Sequence, residues 1–245
     1  VDTNLYGTQT ANIFIRRLGS ILRYHGLPAN KLKGLIITHK HIDHLRGCKQ
    51  LLEEDRIQFE YFLINHDYSH PTKPVFDLLE SAKSIKKWIN VNRPSHITEG
   101  KTTICIKNPD MNSATKTAAP DINDSSICLC IRHGANLAFL TGDTGKDLLL
   151  NKYQCPNLKH SESILKVSHH GSITGTDSQF LDLLKPTHGF ISVGTNRLYN
   201  HPDPFVVGIL KNQCIDLKIS KEVKHTIRYE LTGTRIIVKK ISEKP

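Results

Sequence analysis

No stretch of this 245-residue chain comes near the roughly 18 consecutive apolar residues that a membrane-spanning helix needs. The first residues, Val1-Asp2-Thr3-Asn4, carry no basic-then-apolar targeting pattern. Cys48, Cys105, Cys128, Cys130, Cys155 and Cys214 contain no Cys-x-x-Cys pair and no spacing of a small secreted domain. That argues against a zinc knuckle and a disulfide framework, and for free thiols in a reducing compartment. Low-complexity tracts, internal repeats and linkers are lacking too, so the expectation is one soluble domain over residues 1–245. A cytoplasmic protein and an excised domain of a membrane protein both fit. The abrupt start at Val1, without Met or a preceding strand, suggests an ordered fragment.

There is no long Lys/Arg block, yet 33 Lys and Arg against 23 Asp and Glu leave a formal charge of +10. Such a field raises the local concentration of polyanions, and phosphate-bearing partners are expected. The alternative is that the charge serves solubility alone.

The 38% hydrophobic content is enough to close one core. Ile13, Ile15, Leu18, Ile21 and Leu22 recur at helical spacing before a stop at Gly26 and Pro28. Gly34–Thr38 reads as a short buried strand, Leu45–Glu54 as a helix and Tyr61–Asn65 as extended. Val75–Asn90 has the apolar stripe of an amphipathic helix through Leu78, Leu79, Ala82, Ile85 and Trp88. Thr102–Lys107 is β-like, and the polar stretch Pro109–Ser125 reads as a long loop. Ile127–Arg132 and Leu137–Thr141 read as a hairpin turning through Gly134-Ala135-Asn136. Cys128 and Cys130 alternate along the first of these strands and belong on one buried face. Ile164–Ser168, Gly189–Val193 and Thr226–Val238 are further strands, with helices near Ser178–Leu184 and Phe205–Asn212. The pattern is mixed α/β.

The chemistry concentrates in Thr38-His39-Lys40-His41-Ile42-Asp43-His44. With one residue between them, His39 and His41 project to the same side of extended chain and can share a metal. Asp43 and His44, at the start of the next helix, can turn toward a second ion. Such a cluster cannot be buried without metal or heavy polar compensation. Asp143 closes an apolar strand in Thr141-Gly142-Asp143 and is placed to bridge two cations. His169 and His170 follow another apolar strand, before Gly171. One of this pair is expected to ligate and the other to face the substrate or support a ligand. His201, in Tyr199-Asn200-His201-Pro202, is a further candidate, and Ser172 and Asn200 are candidate phosphate contacts. His25, His66, His70, His96, His133, His160, His188 and His225 are assigned structural or solvent-facing roles.

These pieces, in this order, resemble the metallo-β-lactamase superfamily, and within it the hydrolase domain of ComEC-type competence proteins. The resemblance spans nearly the whole chain. It runs from Val1-Asp2-Thr3 through the His-x-His-x-Asp-His run, Asn123-Asp124-Ser125-Ser126, Leu140-Thr141-Gly142-Asp143 and His169-His170-Gly171-Ser172 to His201-Pro202. It implies an αββα sandwich, with the first strands lying before Val1, and a hydrolase holding two divalent ions, zinc or manganese. Carried onto this chain, His39 and His41 would hold one metal with one histidine of the 169–170 pair. Asp43, His44 and His201 would hold the other, with Asp143 bridging.

Two positions depart from the pattern: Asn4 stands where glycine is usual, and Arg46 where a small residue is usual. Asn123-Asp124 replaces the further histidine of many members, which argues against an antibiotic-degrading enzyme and for phosphodiesterase chemistry. The expected reaction is attack of a metal-bridged hydroxide on phosphorus, with Asp43 orienting the water and the spare histidine serving the leaving group. With the basic charge, the expected substrate is DNA, single-stranded DNA above all. The alternatives are a small or cell-wall phosphodiester, and a non-catalytic metal-stabilised module that binds DNA or protein.

Overall fold

The computed structural model describes residues 7–53, 57–64, 73, 87–91, 93–108, 121–152, 160–194, 199–213, 216–223 and 226–241. The chain divides into two compact units, Val1–Asn92 and Arg93–Pro245.

In the first unit, helix α1 (Gly7–Tyr24) ends as Gly26 swings to a φ of 68°. The Leu27 amide then donates to Leu22 O at 2.9 Å and the Gly26 amide to Arg23 O at 3.0 Å, which closes the last carbonyls of the helix. Strand β1 (Lys31–Ile37) leads through the His39–His41 segment into α2 (Ile42–Glu53), and β2 (Gln58–Ile64) returns parallel to β1. Leu45, Cys48 and Leu52, spaced i, i+3, i+7 on α2, pack on Leu35, Ile37, Phe62 and Ile64 of the two strands. Each of the Leu, Ile and Phe side chains among them, when fully buried, contributes about 1.5–3 kcal/mol. That packing holds the end of β1 and the first turn of α2 in place.

One expectation fails here. Lys87–Asn90, the end of the stretch expected to be an amphipathic helix, is strand β3, paired parallel to β2 from Tyr61↔Lys87 to Ile64↔Asn90. Residues 75–86 of that expected helix lie outside the described residues. A parallel partner distant in sequence supplies backbone hydrogen bonds that override local helical spacing.

The second unit is built on a seven-stranded sheet, ordered β10-β9-β8-β7-β6-β5-β4. Its strands are β4 (Ser95–Glu99), β5 (Thr102–Asn108), β6 (Cys128–His133), β7 (Asn136–Leu140), β8 (Glu162–Lys166), β9 (His188–Ile191) and β10 (Asp216–Ile219). The β6–β7 hairpin turns at Gly134, whose φ is 57°. A Cβ at Gly134 would also lie 2.6 Å from Gly233 O, so this position requires glycine twice over.

On one face of the sheet, Leu137, Phe139, Leu165, Ile191 and Ile219 pack against helices α3 (Lys146–Lys152), α4 (Ser178–Leu184) and α5 (Pro204–Gln213) through Leu149, Phe180, Leu184, Val206 and Leu210. Cys128 and Cys130 are both buried in this core, as their alternation requires. The other face, Ala138 and Ile164, is covered by Ile236 and Val238 of a two-stranded antiparallel hairpin. That hairpin, β11 (Thr226–Leu231) and β12 (Ile236–Ile241), corrects the expectation of one strand over Thr226–Val238. The chain reverses at Gly233, whose φ is 95°. Among the described residues, no helix is long and apolar enough to cross a membrane.

Candidate metal centre

In the first unit, β1 ends at Ile37 and α2 begins at Ile42, so Thr38 to His41 form the connection. His41 O accepts the amides of His44 at 3.0 Å and Leu45 at 3.1 Å, which starts the helix and turns Asp43 and His44 back toward the two preceding histidines. His39 and His44 are fully buried, while the Asp43 side chain is 38% exposed. His39 Nε2 lies 3.0 Å from His41 Nδ1, and His44 Nε2 lies 3.4 Å from Asp43 Oδ2. The His39 and His44 rings have centroids 4.1 Å apart.

Thr38 organises the pair. Its Oγ1 is 3.1 Å from Nδ1 of His39 and 3.1 Å from Nδ1 of His44. A hydroxyl oxygen has two lone pairs and can accept from both Nδ1–H groups, which leaves the Nε2 lone pair of each ring for an ion.

In the second unit, Thr141-Gly142-Asp143 follows β7, with Gly142 at a φ of 56°. Asp143 is 2% exposed. Its Oδ2 lies 3.3 Å from His170 Nε2, and its Oδ1 lies 3.6 Å from Lys166 Nζ, which also donates to Gly142 O at 3.1 Å. The Nδ1–H of His170 donates to Ser192 O at 2.6 Å, a bond that turns Nε2 toward Asp143.

His169 points elsewhere. Its Nδ1 is 3.3 Å from Thr174 Oγ1 and its ring centroid is 5.7 Å from that of His201. Both histidines of the pair have left-handed backbone, at φ of 46° and 54°, a strain that non-glycine residues hold where the surroundings over-determine it. Gly171, at φ 80°, lets Pro202 approach so closely that a Cβ would sit 2.6 Å from Pro202 Cβ. The Asp203 amide donates to Gly171 O at 2.9 Å, and Asp203 Oδ1 accepts from the Phe205 amide at 2.8 Å, capping α5. His201 is thereby held beside His169. Burial lowers the pKa of both, with Asp143 opposing the shift in each, so both rings are neutral at pH 7.

A metal fits these donors. Two atoms bound to one tetrahedral ion at about 2.0–2.1 Å stand about 3.3 Å apart. His39–His41 at 3.0 Å, Asp43–His44 at 3.4 Å and Asp143–His170 at 3.3 Å all match that separation.

Of the remaining site candidates, Asn200 is exposed and Ser172 is 6% exposed, its Oγ 3.0 Å from Thr174 Oγ1. The Val1–Asn4 motif and the Arg46 side chain lie outside the described residues. Thr38 stood at the head of the histidine-rich run and Lys166 inside the strand Ile164–Ser168 read from the sequence, but no role followed from their residue types. Their signal is position, each beside a strand end that carries a ligand candidate.

The chain belongs to the metallo-beta-lactamase superfamily, whose family model matches residues 5–194. Members of that superfamily are mostly metal-dependent hydrolases. The chain is 28% identical over 206 residues to ComE operon protein 3 of Bacillus subtilis (strain 168), a match covering 81% of this chain and 24% of that protein. It therefore spans about a quarter of that relative's length. Among solved structures it resembles CmlA, a diiron beta-hydroxylase from Streptomyces venezuelae, with a TM-score of 0.50, 13% identity, and coverage of 80% of this chain and 45% of that one. This likeness concerns the fold alone.

Proposed function

We propose that this chain is a binuclear metal-dependent phosphodiesterase acting on DNA, with single-stranded DNA favoured. The observation that carries the hydrolytic reading is the set of three donor pairs at 3.0–3.4 Å in a chain of this superfamily. The candidate ligands of this reading, as the family resemblance implies them, are His39, His41, Asp43, His44, Asp143, His170 and His201. His170 is the ligand of its pair because its Nδ1–H is committed to Ser192 O.

When bound, two divalent ions, zinc or manganese, supply Lewis acidity and an ionised water at neutral pH. Asp43, whose carboxylate is partly exposed, accepts a hydrogen bond from the attacking water and orients it. His169, the other histidine of the pair, is the candidate to serve the leaving oxygen through a ring N–H. Lys166 offsets part of the Asp143 charge. Substrate choice rests on the net charge of +10, which favours a polyanion.

The test is metal-dependent cleavage of labelled single-stranded DNA, with zinc and manganese added separately and Asp43→Ala as control. Cleavage by the wild type, falling steeply with salt, with Asp43→Ala still binding DNA, is the expected result. Turnover of a minimal chromogenic phosphodiester alone, with little salt dependence, would move the substrate to a small ester. Two bound metals without any turnover would leave a metal-stabilised binding module.

A further inference from the structure

The Asn123–Ser126 segment, the motif that stands in place of a further histidine, makes no ligand pair with Asp143 among the described contacts, but it grips the turn that carries Asp143. We infer that Asp124 and Ser126 are positioning residues for the Asp143 carboxylate, acting on metal affinity through the backbone of the 141–145 turn. This rests on the reading of Asp143 as a metal ligand.

The geometry is a clamp. The segment forms a single 3-10 turn, Asn123–Ser125. Ser126 Oγ accepts from the Asp143 amide at 3.1 Å, and Asp124 Oδ1 accepts from the Gly145 amide at 2.7 Å. The Thr144 amide between them donates to Thr141 O at 3.3 Å, so three successive amides of the turn each have a directed acceptor. The fit at Gly145 is close enough that a Cβ there would stand 3.0 Å from Asp124 Oδ1.

The clamp is itself anchored. Asn108, 3% exposed at the end of β5, donates from Nδ2 to Asp124 O at 2.8 Å and to Ser126 O at 2.8 Å. On the opposite side of the turn, Ser168 Oγ donates to Thr144 O at 2.6 Å and the His169 amide donates to Gly142 O at 3.2 Å. The carboxylate of Asp143 is thus placed by β5 and the 123–126 turn from one side, and by the chain that carries His169 and His170 from the other. An apolar residue could fill the Ser126 position, since that side chain is fully buried. A hydroxyl there fixes the direction of the Asp143 peptide, which an apolar side chain would not.

The test is calorimetric titration of the metal-depleted full chain with zinc and with manganese, alongside thermal unfolding in chelator. Ser126→Ala and Asp124→Ala are expected to bind metal about 10–100-fold more weakly, the range for loss of a group that orients a ligand. Asp124→Asn keeps the Oδ1 acceptor and is expected to restore wild-type affinity. Thr187→Val is the matched control. Its hydroxyl, just before β9, accepts from the Ser163 amide of β8 at 2.9 Å and donates to Ser163 O at 2.8 Å, so it should lose stability but not metal affinity.

Wild-type affinity in Ser126→Ala and Asp124→Ala, with lowered stability only, would overturn the inference. If Ser126→Ala does not fold, equal affinities of Asp124→Ala and Asp124→Asn overturn it by themselves. Metal binding without DNA cleavage by the wild type would sink the nuclease reading and leave the clamp standing. A wild-type chain that binds neither metal would sink both.

Discussion

Thr38 Oγ1 lies 3.1 Å from Nδ1 of His44, a residue six positions further on, and equally close to Nδ1 of its neighbour His39. One buried hydroxyl therefore sets the ring orientation of two candidate ligands. Thr38→Val keeps the shape and removes that acceptor. It should weaken metal binding by about 10–100-fold while the chain still folds. Titration calorimetry with zinc, beside a circular dichroism melt, checks this. Unchanged affinity would mean that packing alone orients the rings.

Gly171 answers to a steric demand. At φ 80°, with Pro202 Cβ 2.6 Å from the place of a Cβ, Gly171→Ala adds a left-handed backbone penalty to an overpacked contact. The expected loss is roughly 2–4 kcal/mol in urea unfolding. Metal binding should fall with it, because the same contact holds His201 beside His169.

Acid should destabilise the metal-free protein through His169 and His201, whose pKa values are lowered chiefly by burial. Above the unfolded value of about 6.5 both states are neutral and the stability is fully present. As pH falls below that value the unfolded chain takes up protons first, and stability drops until the depressed folded values are reached. Urea unfolding in chelator at pH 7.5, 6.5 and 5.5, expressed as unfolding free energies, tests this. His169→Gln should flatten the decline, and an unaltered slope would assign the acid sensitivity to other groups.

Tyr229 gives the opposite sign at the other end of the scale. Burial, then the nearby Asp216 charge, pushes its phenol up to about 12, and its hydroxyl has no hydrogen-bond partner among the described residues. Tyr229→Phe should stabilise the fold at pH 7 by about 1 kcal/mol. From pH 10 to about 12 the unfolded tyrosine ionises before the folded one, so the wild type loses stability there and the variant should escape that part of the loss. A lower melting temperature for the variant at pH 7 would count against this account.

Much of the fold was legible because its helices and central strands carry their own signal. Leu45, Cys48 and Leu52 have helical spacing, and Cys128 and Cys130 alternate into a buried face. The strands that escaped notice lack such a signal. Strand β4 has no buried residue, and β10, at the other edge of the sheet, starts with Asp216 and carries Lys218. Edge strands are recruited by the backbone hydrogen bonds of a neighbour, which leave little trace in side-chain periodicity. The Thr226–Val238 run was apolar enough for a strand, but Gly233 at φ 95° makes it a hairpin.

The sequence by itself determined where the candidate ligand types stand along the chain. Histidines and carboxylates concentrated at strand ends, before helix starts and glycine turns, have few uses other than holding cations, and that follows from donor chemistry and spacing alone. Only the tertiary structure decided which atom of each ring faces inward. His170 and His169 are adjacent and chemically equivalent, and they differ because Ser192 O, 22 residues away, takes the Nδ1–H of one while Thr174 and His201 flank the other. The same holds for Asp124 and Ser126, whose role lies in the amides they reach 17 to 21 residues further along the chain. Hydrogen bonds between distant segments depend on how strands are ordered in a sheet, and local sequence does not encode that order.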